Sequence, residues 1–139
     1  MKTITNLICF SFLFSCSTIR NSAKEEDIYI KEFKFAYFAG CLKHGFDNSN
    51  EIRKLLEIDK SGYGELILGE KYFFIDSLAR ITAKKIKLDS LNSIGKVAEG
   101  TEGKQVFSEC LCNYNSKWLD SIAKSENTKR LKSERNTFK

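Results

Sequence analysis

Apolar residues recur three or four positions apart along most of the chain, which is the spacing of an amphipathic α-helix. The clearest run covers residues 25–46, where two neighbouring faces follow this spacing. One face consists of Ile30, Phe33, Tyr37, Cys41 and His44, and the second of Phe35, Phe38 and Leu42. A helix that is apolar nearly all round is packed on several sides. The pattern therefore predicts a central first helix.

A second, short helix is predicted after the first. Asn48 and Glu51 form a capping box at its start. Its expected buried residues are Ile52, Leu55 and Leu56. Gly62 and Gly64 then permit a tight turn.

Two longer helices complete the pattern. The third is expected over residues 70–87, with Phe74, Leu78 and Ile81 on one stripe and Ile75, Thr82 and Ile86 beside it. The last is expected over residues 103–123, with a stripe of Phe107, Leu111, Tyr114, Trp118 and Ile122, and with Val106 and Cys110 alongside. Residues 90–104 between them read as a long irregular loop, and such loops are often functional. We therefore expect an all-α fold, a compact bundle of about four helices.

The N-terminus has the features of an export signal. Met1 and Lys2 precede a short run, residues 7–14, that is apolar apart from one serine. Leu13-Phe14-Ser15-Cys16 resembles the lipobox of bacterial lipoproteins, in which the cysteine is lipidated. This predicts a lipoprotein signal peptide over residues 1–15, lipidation at Cys16 and a polar tether over residues 16–24. An ordinary secretory signal or an uncleaved anchor are the alternatives, and both also export the protein.

Charge argues against nucleic acid as a partner. Of the net charge of +5, one unit belongs to Lys2 and four to residues 124–139, while residues 3–123 carry sixteen basic and sixteen acidic groups. A neutral body lacks the basic face that phosphate binding requires. We expect a helical domain over residues 25–124, followed by a basic, disordered tail over residues 125–139.

The residues that carry chemistry do not assemble an active site. His44 is the only histidine; Cys41 and His44 form Cys-x-x-His, but an exported cysteine is more often bridged than nucleophilic. Cys110-x-Cys112 is too close and too isolated for a zinc site. We expect neither enzymatic activity nor a metal or cofactor.

The cysteines predict a disulfide instead. Cys41 and Cys110 lie on the buried stripes of the first and last helices, so a bridge between them would join the two ends of the domain. Cys112 lies about 200° further round the helix and should face solvent. A Cys41–Cys112 bridge would require the last helix to be rotated by about half a turn.

Three segments resemble the type VI secretion amidase immunity proteins. The most specific is Cys110-Leu111-x-x-Tyr114-Asn115-Ser116-Lys117-x-Leu119-Asp120; Tyr37-x-x-x-Cys41 and Asp59-x-Ser61-Gly62-Tyr63 precede it in the order found in the family. The resemblance covers roughly residues 27–123. It implies a small, all-helical, periplasmic and often dimeric protein that inhibits papain-like peptidoglycan amidases by inserting a loop into the catalytic cleft.

The chain departs from the family pattern at Cys112, which replaces the usual aspartate and leaves a thiol that could bridge two copies. Residues 90–104 are the best candidate for the inhibitory loop, because they form the longest irregular segment. Within it, Asn92, Ser93 and Lys96 are the polar groups that could reach a Cys-His pair. We therefore expect a lipid-anchored periplasmic immunity protein whose partners are an amidase and the membrane. The alternative is a helical binding or assembly lipoprotein without an amidase target.

Overall fold

The computed structural model describes residues 15–62, 65–98 and 102–137. Over these residues the fold is all-α, as predicted. The helices are α1 (Ser15–Gly45), α2 (Asn50–Ile58), α3 (Glu65–Leu68), α4 (Lys71–Ser93), α5 (Val106–Tyr114) and α6 (Lys117–Thr137). Most of the predicted signal peptide, residues 1–14, lies outside the described residues, as does Tyr63.

Helix α1 is the centre of the bundle and contacts each of the other helices. Its most deeply buried side chains are Tyr29, Phe33, Tyr37 and Cys41, none more than 1% exposed. This confirms the prediction from its two apolar faces. The helix starts at Ser15, so the backbone of residues 16–24 is helical and continuous with the domain.

The disulfide between Cys41 and Cys110 is present, with an S–S distance of 2.01 Å and a Cα–Cα distance of 5.8 Å. It joins α1 to α5 across 69 residues of sequence. Both cysteines are fully buried, and Cys112 is free and exposed. The prediction of the pairing and of the solvent-facing thiol is confirmed.

The sequence pattern predicts two apolar stripes on α4, and the helix buries only the stripe that contains Ile75, Thr82 and Ile86. Ile75, Ala79, Thr82 and Ile86 are buried, whereas Ile81 is 64% exposed and Phe74 39% exposed. The cause is the close approach of α1: a Cβ atom on Gly40 would lie only 3.1 Å from the Cβ of Ala79. Only a face with small side chains allows this contact, so the stripe containing Ile81 faces outwards.

The predicted last helix is divided into α5 and α6. Helix α5 ends at Tyr114, and the hydroxyl oxygen of Ser116 then accepts the N–H of Leu119 at 3.2 Å, which starts α6. A serine at this position satisfies one of the otherwise unpaired N–H groups of a helix start. The predicted stripe on α5 is also wrong, since Val106 and Cys110 are buried while Phe107 is 63% exposed and Leu111 52% exposed.

The prediction of a disordered tail is wrong for most of its length, because α6 continues to Thr137. Glu126 is 5% exposed and forms ion pairs with Lys71 at 2.9 Å and Lys129 at 2.5 Å. The guanidinium of Arg130 lies 5.1 Å from the centre of the Tyr29 ring. Polar side chains attach this part of α6 to the bundle, so it carries no apolar period.

The N-terminal cap of α2 also differs from the prediction. Ser49, rather than Asn48, accepts the N–H of Ile52 at 3.5 Å. Asn48 lies in the preceding turn with a φ of 57°. Ile52 is buried as expected, but Leu55 is 59% exposed.

Candidate binding surface

The Asp59 side chain builds the turn after α2. Its Oδ1 accepts the N–H of Ser61 at 3.1 Å and the Ser61 hydroxyl at 2.5 Å. Gly62 follows, and a Cβ atom at this position would lie 2.7 Å from Cδ1 of Phe35. The turn therefore packs directly against α1 at Phe35, and glycine is required for the contact.

Several of the other motif residues stabilise single helices or the packing between them. Leu119 is fully buried, Ser116 caps α6, and Asp120 pairs with Lys124 at 2.7 Å. The Tyr37 hydroxyl is hydrogen-bonded to that of Thr82 at 2.7 Å, and burial raises the pKa of this tyrosine. The roles of these residues are therefore structural, and none of them indicates a binding site.

Leu111 and Tyr114 are the motif residues that core packing does not explain. Together with Phe35 and Phe38 they line an apolar depression of about 230 Å³. The rings of Phe38 and Tyr114 meet edge to face, with centroids 5.7 Å apart. On α5, Phe107 lies one turn before Leu111 and two turns before Tyr114. We call Phe35, Phe38, Phe107, Leu111 and Tyr114 the aromatic surface.

A cleft opens on the other side of Phe35, between α1, α2 and α4. Its volume is about 310 Å³. The floor is apolar and made of small or aromatic side chains, Phe35, Ala36, Ala39 and Gly40. Charged groups of both signs surround it, namely Lys43, Arg53, Glu57, Asp59 and Asp76. Phe35 thus lines both the charged cleft and the aromatic surface.

Asp76, which lines the cleft, is hydrogen-bonded to the only histidine of the chain. His44 Nε2 and Asp76 Oδ1 are 2.7 Å apart, and Arg80 Nε donates to Asp76 Oδ2 at 2.8 Å. Partial burial of the Asp76 carboxyl opposes ionisation, but the hydrogen bonds from His44 and Arg80 outweigh it and hold the pKa of this carboxyl below its ordinary value. Because Cys41 is bridged, Cys41 and His44 form no nucleophilic pair; the histidine joins α1 to α4.

The Asp76 network gives a pH-dependent prediction. Since the folded-state pKa of Asp76 is lowered, its stabilising contribution is present above the ordinary carboxyl pKa and is lost as pH falls through the folded value. Asp76→Asn should lower the free energy of unfolding by about 1 kcal/mol at pH 7, and the difference should shrink below about pH 4. Urea titrations across this range measure it. Asp89→Asn, on the exposed side of the same helix, is the control, and a difference that does not change with pH would contradict the prediction.

The predicted inhibitory loop is shorter than expected and is held at both ends. Asn92 and Ser93 belong to the last turn of α4, where the Ser93 hydroxyl donates to the Ser90 carbonyl at 2.8 Å. Lys96 is exposed. The N–H of Gly95 donates to Glu102 at 3.0 Å, and Lys104 donates to the Gly45 carbonyl at 3.2 Å and pairs with Asp47.

The sequence does not reveal that two sets of residues form exposed surfaces, namely the aromatic surface and the basic side of α4. The aromatic surface was assigned to the core, because an exposed apolar stripe has the same period as a buried one. Lys84, Lys85 and Lys87 are a visible cluster in the sequence, but the negative C-terminal end of a helix is enough to explain such a cluster, so it did not indicate a binding surface. Among the described residues there is no group of three or more potential metal ligands, and no helix there is long and apolar enough to cross a membrane.

Comparison with protein-family models, curated proteins and solved structures found no match.

Proposed function

We propose that this protein is a lipid-anchored periplasmic immunity protein that binds a peptidoglycan amidase effector of type VI secretion and occludes its active site. The observation that carries the proposal is the meeting of two family-like segments at one exposed place. The turn of Asp59, Ser61 and Gly62 packs against Phe35 from one side, and Leu111 and Tyr114 lie on its other side.

The aromatic surface has the composition of a protein-binding site. Aromatic residues are enriched at protein interfaces, and a few of them usually supply most of the binding energy. Phe107 and Leu111 are more than half exposed, so a partner could bury them without unfolding this chain. Lys34, whose Nζ lies 5.2 Å from the centre of the Tyr114 ring, supplies a polar rim.

The loop between α4 and α5, residues 94–104, lies where it could assist the aromatic surface in binding the amidase. Its last residues are fixed beside Gly45 through Lys104, and the neighbouring Phe46 and Phe107 rings are 5.3 Å apart. The end of the loop therefore adjoins the aromatic surface. In the proposed complex, this surface binds the rim of the amidase and residues 94–104 cover its cleft, so that inhibition needs no chemistry from this protein.

The membrane anchor is part of the proposal. Lipidation of Cys16 would hold the domain where an injected amidase acts. The wild-type protein should incorporate labelled fatty acid, and Cys16→Ser should not. Unlipidated wild-type protein in a periplasmic extract would contradict the lipid anchor.

A second candidate function follows from the cleft. Its volume of about 310 Å³ lies at the lower end of the range of small-molecule sites, and its floor is apolar with charges around it. This favours a binding or assembly lipoprotein without an amidase target. Arg53→Glu distinguishes the two candidate functions, because it changes the cleft and leaves the aromatic surface intact. The variant should still inhibit the amidase if the immunity function is right.

The deciding experiment needs a cognate amidase, and the proposal predicts that one is encoded next to the gene of this protein. We expect nanomolar binding or tighter, about −12 kcal/mol, and complete loss of peptidoglycan hydrolysis. Replacing residues 94–104 with a Gly/Ser linker of equal length should weaken inhibition while leaving the helical circular dichroism unchanged. If the linker variant inhibits like wild type, the loop is passive; if the wild-type protein binds no amidase, the immunity function is wrong.

A further inference from the structure

The outer face of α4 carries a row of large apolar side chains with nothing over them among the described residues. Phe73, Ile81, Leu88 and Leu91 are 80%, 64%, 59% and 58% exposed. Their spacings of eight, seven and three residues keep them on one side of the helix, opposite the buried row of Ile75, Ala79 and Ile86. Ser77 and Lys84 interrupt the row on the same side of the helix, but four large apolar side chains exposed along one helix face still mark a surface that binds something else.

Cations surround this row. The exposed basic residues of α4 and the loop after it are Arg80, Lys84, Lys85, Lys87 and Lys96, whereas Asp89 is the only acid among residues 80–97. Arg80 is paired with Asp76. Neither Lys84 nor Lys85 forms a salt bridge within the described part of the chain. We call the four apolar residues with Lys84 and Lys85 the outer face of α4.

Charge decides between the possible occupants of this face. Two copies of the chain meeting there would bring like charges together, which opposes association. A protein partner is disfavoured because lysine is depleted at protein interfaces. An anionic bilayer fits both features, since lysines around an apolar row can reach the headgroups while the apolar side chains enter the boundary with the acyl chains.

We propose that the outer face of α4 lies on the surface of a membrane rich in anionic phospholipid. The outer face shares no residue with the aromatic surface or with residues 94–104, so separate variants test membrane docking and amidase binding. Membrane docking would also complement the proposed lipid on Cys16, since one acyl chain alone holds a protein only weakly and stable attachment takes a second signal.

A position-specific probe tests the proposal. In the full chain carrying Cys9→Ser, Cys16→Ser and Cys112→Ser, one cysteine is introduced as Leu88→Cys and labelled with an environment-sensitive nitrobenzoxadiazole dye. The matched control is Ile58→Cys on α2, whose native side chain is 74% exposed. Vesicles of phosphatidylcholine with phosphatidylglycerol should shift the emission at position 88 to the blue, and neither the control nor pure phosphatidylcholine should reproduce the shift.

Charge reversal completes the test. Lys84→Glu with Lys85→Glu should weaken partition to the anionic vesicles at least about tenfold, without changing the helical circular dichroism. An absent shift at position 88, or an equal shift at position 58, would overturn the proposal. A shift without vesicles that grows with protein concentration would assign the face to a second copy, and a shift only with the purified amidase would assign it to a protein partner.

Discussion

Removing the disulfide should cost about 4 kcal/mol of the free energy of unfolding. The bridge closes a loop of 69 residues between α1 and α5, and its main effect is to reduce the conformational freedom of the unfolded chain. Both sulfurs are fully buried at the centre of the bundle. For a domain of this size, the loss is a large share of the total stability.

The sharpest variant is Cys41→Ala with Cys110→Ala, because a single replacement would leave one thiol free to pair with Cys112. Urea denaturation measures the change. Cys112→Ala is the matched control, and its stability should stay within about 0.5 kcal/mol of wild type, since this side chain is exposed. A double variant as stable as the control would show that the bridge contributes little.

Leu111→Asp should weaken amidase binding about 100-fold or more. Leu111 lines the apolar depression beside Phe35 and Tyr114, and a hot-spot residue near the centre of an interface contributes about 2 kcal/mol or more. The aspartate would also bury an unpaired charge in the complex. Because the native side chain is 52% exposed in the free protein, the fold should tolerate the change.

Binding is measured by calorimetry and inhibition by release of peptidoglycan fragments. Ile58→Asp is the matched control, since it places the same charge at an exposed apolar position on α2. Tyr114→Ala should weaken binding in the same direction. If Leu111→Asp and Ile58→Asp bind equally well, the aromatic surface is not the interface.

Much of the architecture follows from the sequence alone. The all-α class, the central position of α1 and the pairing of Cys41 with Cys110 all depend on helical periodicity. Helical periodicity is a local property that can be read from the sequence. Two cysteines that lie on apolar stripes of different helices both face the core, where they can pair. The motif residues Leu111 and Tyr114 were also identified from sequence, although their position on an exposed surface was not.

Only the tertiary structure decided which apolar faces are buried. Helix α4 offers two such faces, and the close packing of Ala79 against Gly40 selects one and leaves Ile81 and Leu88 outside. Helix α6 extends past residue 124 because Glu126 and Arg130 find partners on α4 and α1. A sequence pattern shows that a face is apolar or charged, but what covers it depends on residues far away in the chain. For that reason, the sequence by itself determined the all-α class, the central first helix and the disulfide, while the division of the last helix, the aromatic surface at Phe35 and the outer face of α4 emerged only from packing.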